Sequence, residues 1–325
     1  MSFAIIGELI DFRMSEREMT YSVQVIASEE GDFHKFQYWF AKAWKDAGGG
    51  IIDDVKLPHK LRAVMGRLFG CSLGRARGRV MVLGCHRIES MAWPWCWRYE
   101  VVPMMWDLWP ENYGHFIRFL KRCRVKICFV TASQNVQKIQ EIFPNMKVVW
   151  VPEGINSASY PMGGILKERT IDVLNYGRQV SWVNESIEAH SFGHKINHVY
   201  QRTKEFLFKD FDSLAAAIRD AKMAVCYPQC DTNPQRCGDV ETLTQRYWEC
   251  MLSRTLMIGR APKELIDLCG YNPVITLGEY PARQIEDVLN HIEDYQELAD
   301  RNRAYAEKNA DWSTRIPIIM DALKG

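Results

Sequence analysis

Apolar and polar positions along this chain alternate between two rhythms. "YSVQVIAS" (21–28), "RVMVLG" (79–84), "YEVVPM" (99–104), "VKICFV" (125–130) and "KVVWVP" (147–152) are brief, rich in β-branched residues and bounded by turn or helix signals, which predicts strands. Between them, "DFHKFQYWFAKAWKD" (32–46), "ENYGHFIRFLKRC" (111–123) and "SQNVQKIQEIF" (133–143) repeat their apolar residues at helical spacing. Strands and helices in alternation predict a parallel sheet covered by helices.

The rhythm lapses at "VPEGINSASYPMGG" (151–164), where Pro, Gly and Ser concentrate. It then restarts with strand "IDVLNYG" (171–177), strand "KEFLF" (204–208), helix 211–221 and strand "MAVCYP" (223–228). After a polar loop at 229–240 follow helix 241–253, strand "TLMIG" (255–259), helix 262–268, strand "PVITL" (273–277) and helices to the end. The pattern predicts an α/β protein of two doubly wound, Rossmann-like domains, 1–155 and 156–310, with ligands in a cleft at the carboxyl ends of the strands.

Composition agrees with a folded chain of this size. Of 325 residues, 47% are hydrophobic and 25% charged, which is globular usage. No apolar run approaches the ~20 residues that span a bilayer. "FAIIGELI" near the start is short, contains Glu8 and lacks a basic flank, so it does not read as a signal peptide. The ten cysteines form no compact framework and are expected to be reduced thiols in the cytoplasm.

Charge adds an asymmetry. The net charge is +1, yet residues 1–155 carry 21 Lys+Arg against 16 Asp+Glu, and residues 156–325 carry 20 against 24. Between 55 and 140 there are 15 basic residues and four acidic ones, and 55–88 contains no acid. Such a concentration attracts anionic partners, unless the acids of 8–54 balance it in space. Lys56, Lys60, Arg62 and Arg67 have helical spacing, and Arg75, Arg77 and Arg79 alternate so that they could face one way.

One stretch raises a chemical question. In "ETLTQRYWECM" (241–251), Glu241 and Glu249 bracket seven residues, with Arg246 three positions before the second. Arg246 and Glu249 could form an ordinary surface pair on a helix, worth about 0.2–0.5 kcal/mol. Alternatively, a helix opening after strand 223–228 lies at the crevice edge, where its free N–H groups suit a phosphate. Arg246 could then fork onto phosphate oxygens, Glu249 accept from a ribose diol and Glu241 hold a sugar hydroxyl.

At these residues the chain resembles the GT-B glycosyltransferases with a Glu–seven residues–Glu motif. It is similar above all to the CgeB-like subgroup with Arg–x–aromatic–Glu, here Arg246-Tyr247-Trp248-Glu249. Further landmarks fall in order: "VPEGI" (151–155), "DVLNYGR" (172–178), "SLAAAIRDAKMAVCYP" (213–228), "ECMLSRTLMIG" (249–259) and "ADWSTRIPIIMDAL" (310–323). The resemblance is dense over 145–325 and thin before. It implies an acceptor-binding first domain, a nucleotide-sugar-binding second domain and a terminal helix, 311–325, returning to the first.

The resemblance also implies roles. Glu241 would contact the donor sugar as a catalytic residue, Glu249 the ribose, and Arg178, after Gly177, with Arg246 the diphosphate; Tyr227 joins the donor contacts. The chain departs from the pattern at Val183, where relatives carry a lysine, and at "TLTQ", where they are Gly-rich after the first glutamate. No cofactor and no essential metal are implied, because arginines and a helix start meet the diphosphate.

In the first domain, Asp107 follows a strand in "VVPMMWDLWPENYGHF" (101–116) and could be a general base, an acceptor-orienting carboxylate or a helix cap. His86, Trp106, Arg75 and Arg77 are the other candidate acceptor contacts, His86 having the alternative of an exposed loop histidine. The tryptophans of 93–109 could stack sugars or bases, sit at a membrane surface, or pack in the core. Cys226, Cys230 and Cys237 are too loosely spaced for zinc, and His190, His194 and His198 read as a polar face.

The expected function is transfer of a hexosyl or pentosyl group from a nucleotide-diphosphate sugar to an anionic acceptor, such as a lipid-linked or surface-polysaccharide precursor. The expected place is the cytoplasm, including the inner face of the membrane. Two alternatives remain open: a DNA-modifying glycosyltransferase of the same fold, and a nucleotide-sugar-binding protein without catalysis.

Overall fold

The computed structural model describes residues 23–26, 35–74, 76–85, 88–203, 205 and 207–324. Its strands form two sheets. The first contains β1 (Val23–Ile26), β2 (Gly50–Ile52), β3 (Arg79–Gly84), β4 (Glu100–Met105), β5 (Ile127–Val130) and β6 (Lys147–Trp150), in the order β2-β1-β3-β4-β5-β6. The second contains β7 (Ile171–Asn175), β8 (His198–Tyr200), β9 (Ala221–Cys226), β10 (Leu256–Gly259) and β11 (Val274–Thr276), in the order β11-β10-β9-β7-β8. Every pairing is parallel. Helices cover both faces, so central strands are buried throughout: Ile127–Val130 has no exposed residue.

In both sheets the strand order reverses once, between β1 and β3 and between β7 and β9. Outside these two points the flanking loops diverge and leave a crevice at the carboxyl ends. The sheets are joined by a continuous core. Phe40 of helix Phe36–Asp46 meets Trp106 edge-on at 5.8 Å and Trp312 at 5.2 Å, and the same buried cluster continues to Tyr247, Trp248 and Met257. The helix Ile316–Lys324 lies against the first sheet: Arg79 donates to the Leu323 carbonyl at 2.7 Å and Lys147 to that of Ala322 at 2.7 Å.

Three local expectations are corrected. The described residues of 204–208 are not strand; the strand of this region is His198–Tyr200, an edge held by β7 on one side only. The three-residue β2 was hidden in the run Gly48-Gly49-Gly50, which reads as loop. The helix expected at 241–253 is Gln245–Leu252; the N–H of Leu243 and the carboxylate of Glu241 are engaged elsewhere, and 241–244 stay out of the helix.

Candidate active site

Helix Gln245–Leu252 follows the segment that leaves β9, where the polar loop expected at 229–240 instead carries two short helices, Gln229–Thr232 and Pro234–Cys237. Thr244 precedes it with extended backbone and no side-chain cap, so the first N–H groups stay available. Of the next residues, Tyr247 and Trp248 turn into the core, while Arg246 and Glu249 remain partly exposed on the other side. They do not pair with each other. Arg246 lies over the Tyr176 ring, 5.0 Å from its centroid, and Glu249 accepts hydrogen bonds from Tyr176 Oη at 2.8 Å and Tyr160 Oη at 2.9 Å. The surface-pair alternative is thereby replaced by two separate engagements. Burial raises the Glu249 pKa, and the two hydroxyls and then Arg246 pull it back.

The turn after β7 supplies the other half. Gly177 has φ +66°, a region that favours glycine, and a Cβ there would lie 2.6 Å from Arg246 Nη2. Glycine therefore both makes the turn and admits the guanidinium. Arg178 follows, with its backbone carbonyl 3.4 Å from Arg246 Nη1. Arg178 is exposed by surface area, yet desolvation lowers its pKa, reinforced by the Arg246 charge; Asp107 and Glu153 act in the opposite direction. Two guanidiniums whose charges repel each other create a local positive field that attracts an anion.

Acidic groups face this field from the first domain. Asp107 stands just beyond β4, with φ +48°, a sparsely populated conformation for a residue with a side chain. Glu153, in the crossover after β6, has its carboxyl pKa raised well above normal by burial, then by Asp107 and Glu249, while Arg178 lowers it. Cys85, past the end of β3, is also pushed up by burial and by the charges of Asp107 and Glu153. Asp107, Arg178 and Glu249 thus all lie within electrostatic reach of Glu153. Tyr227, at the end of β9, packs edge-on against Trp182 at 5.6 Å.

Glu241 has a different setting from the one its spacing suggested. It sits four residues before the helix, where one carboxylate oxygen pairs with Arg260 Nη1 and the other accepts from the Lys263 backbone N–H at 2.8 Å. Arg260 is also tied to Asp231. Next to it, buried Glu264 links the domains: it accepts from the N–H of Leu243 and, at 3.2 Å, from that of Ser133 in the first domain. Gln134 strengthens the clasp, its carbonyl oxygen 2.7 Å from the Glu241 N–H.

Among the expected acceptor contacts, Trp106 is corrected. It is buried between helix Phe36–Asp46 and Trp312, just past β4, where its N–H still donates to the Gly84 carbonyl at 2.9 Å and its ring joins the interdomain core. Arg77 is exposed, but it enters β3 from its amino end, on the edge opposite the cleft. Arg62 is also unavailable: buried, it is paired with Asp54 and donates to the Ser90 carbonyl at 2.6 Å. His86 and Arg75 lie outside the described residues. Sequence reasoning did not single out Tyr160, Tyr176, Glu153, Arg260 or Glu264. The tyrosine before Gly177 and the glutamate within "VPEGI" were inside quoted landmarks, but their roles depend on partners far along the chain.

No family model matches the chain, and no curated protein matches it. Solved structures do. HepE from Anabaena, determined with UDP and glucose, aligns over 94% of this chain and 99% of its own, with a TM-score of 0.55 and 10% identity. Sucrose-phosphate synthase from Thermosynechococcus elongatus aligns over 93% and 98%, with a TM-score of 0.58 and 11% identity. AviGT4, a glycosyltransferase involved in avilamycin A biosynthesis, aligns over 94% and 97%, with a TM-score of 0.50 and 10% identity. With two doubly wound parallel sheets meeting at a cleft and these neighbours along nearly its whole length, the chain has the GT-B fold.

Proposed function

We propose that this protein transfers a glycosyl group from a nucleotide-diphosphate sugar to an anionic acceptor, a lipid-linked or surface-glycan precursor. One observation carries the reading: Arg178, Arg246 and Glu249 meet at the carboxyl edge of the β7/β9 switch point, Arg246 within 3.4 Å of the Arg178 carbonyl and, with Glu249, engaged on Tyr176. Arg178, Arg246 and the uncapped start of helix Gln245–Leu252 would receive the diphosphate, spreading its charge as the leaving group departs. Glu249, whose oxygens retain acceptor capacity beyond the two tyrosine hydrogen bonds, would take the ribose diol. Asp107 is the candidate to orient or deprotonate the acceptor hydroxyl. Glu241, the proposed donor-sugar contact, would have to leave or share its Arg260 partner.

The neighbour solved with UDP and glucose supports a uridine donor as the first to test. Calorimetry with uridine, guanosine, thymidine and cytidine diphosphate sugars, followed by donor hydrolysis assays, tests the reading. Binding of none of them overturns it. Binding without hydrolysis or transfer would favour the non-catalytic alternative, which the engagement of both Glu241 oxygens permits.

A further inference from the structure

The helix His59–Phe69 lies on the first domain with one face unpartnered. Its rotation is fixed by the opposite face. A Cβ on Gly66 would lie 2.5 Å from the Glu89 carbonyl oxygen, so the helix backbone rests directly on the neighbouring segment. Arg62, on the same side, is held by Asp54 and by the carbonyls of Ser90 and Met91. With that side locked inward, Leu61, Val64 and Leu68, spaced three and four apart, must point out; they are 47%, 55% and 61% exposed. Phe69 and Leu73 continue the strip at 45% and 64%.

Basic side chains frame this strip. Arg122 donates to the Arg67 carbonyl at 2.8 Å and the Leu68 carbonyl at 2.9 Å, which fixes the end of the helix beside the helix Pro110–Cys123. Arg124 comes near Gly74, next to Leu73, and Lys60 and Arg67 are exposed on the helix itself. The segment from 55 to 88 contributes no acid. Apolar side chains projecting between cations are the arrangement of a helix lying in the surface of an anionic bilayer, with leucines among the acyl chains and cations at the headgroups.

We propose that the Leu61–Val64–Leu68 face docks this protein on an anionic membrane surface. The inference deepens the proposed function, resting on it for a lipid-linked acceptor. As a crossover helix between parallel strands, His59–Phe69 runs from the carboxyl edge of the sheet toward its amino edge, so the strip begins on the cleft side. Leu61 lies nearer the cleft, whereas Leu68, Phe69 and Leu73, with Arg67 and Arg124, lie toward the opposite edge.

Co-sedimentation with vesicles of phosphatidylcholine, alone or mixed with phosphatidylglycerol, tests this on the full chain. The protein should partition onto the anionic vesicles and release as salt shortens the Debye length. Leu61→Ser with Leu68→Ser, both at exposed positions, should reduce partitioning by roughly tenfold or more, and Arg67→Gln with Arg124→Gln should abolish the preference for anionic lipid. No partitioning at low salt, or a serine variant that partitions as the parent does, overturns docking. Sedimentation velocity that reveals a dimer dispersed by the serine variant also overturns it, assigning the face to a second copy. Nucleoside-diphosphate calorimetry on the same samples separates the claims: donor binding without vesicle binding sinks the docking alone, and the reverse sinks the glycosyl-transfer reading.

Discussion

Tyr176 donates its hydroxyl to Glu249 at 2.8 Å while its ring lies under the guanidinium of Arg246. One aromatic side chain therefore holds apart the two charged residues that their spacing would have paired. The arrangement keeps Glu249 as an acceptor and Arg246 as a donor, both turned toward the cleft.

Replacing Glu249 by Ala should weaken binding of a nucleoside diphosphate. A hydrogen bond to an ionised acceptor is worth about 1.5–3 kcal/mol, or roughly 10- to 150-fold in affinity. Calorimetry reads the change directly. An unaltered dissociation constant would leave Glu249 only the task of satisfying Tyr160 and Tyr176.

Arg178→Lys and Arg246→Lys should each lower transfer activity, because an ammonium cannot reproduce the planar fork on phosphate oxygens. Binding of the bare nucleoside should be unchanged. If nucleoside and nucleoside diphosphate lose affinity equally, the arginines shape the cleft and do not hold the diphosphate.

Gly177→Ala tests the turn itself. The φ of +66° disfavours a side chain, and a Cβ 2.6 Å from Arg246 Nη2 would push the guanidinium aside. Strain of about 1–3 kcal/mol is expected, together with displacement of Arg246 and weaker diphosphate binding. A thermal melt at parental temperature with parental affinity would show that the loop absorbs the methyl group.

Glu264 gives a pH dependence. Burial pushes its pKa up to about 7, from an ordinary value of 4.5, against the two backbone N–H groups that lower it; Glu241 adds to the rise. The folded state then binds the proton more tightly than the unfolded state. The contribution of this group to stability is greatest below about pH 4.5 and declines as pH rises to about 7, by at most ~3 kcal/mol. Urea midpoints measured across this window should show a shallower slope in Glu264→Gln. A slope identical to that of the parent would assign the titration to other carboxyls.

Arg62→Ala should destabilise the first domain by about 1–3 kcal/mol, since the Ser90 and Met91 carbonyls lose their buried donor and Asp54 loses its cation. Denaturant unfolding checks this. A loss under about 1 kcal/mol would show that the Ser90 and Met91 carbonyls find other donors.

Much of the architecture is written locally. The β-branched run at 79–84 forms β3 at its expected limits, and the helical spacing of 111–123 forms Pro110–Cys123, because period and burial coincide wherever a segment faces one core. The alternation of such segments sufficed for two parallel sheets, and the lapse at 151–164 lies between them. The position of Gly177 and Arg178 after β7 was likewise legible, since a strand end followed by glycine needs no distant partner to make a turn.

Only the tertiary structure decided which charges face the cleft. Arg246 and Glu249 are helical neighbours, but Tyr160 and Tyr176, 89 and 73 positions from Glu249, separate them. Glu241 met Arg260, Arg62 met Asp54, and Trp106 turned toward Trp312. The exposed strip of Leu61, Val64 and Leu68 escaped notice for the same reason: the contact of Gly66 with Glu89 sets the rotation that leaves these three side chains outside. Spacing along a chain ranks local neighbours, whereas the energies of a charge or an apolar side chain depend on what the rest of the fold places against it.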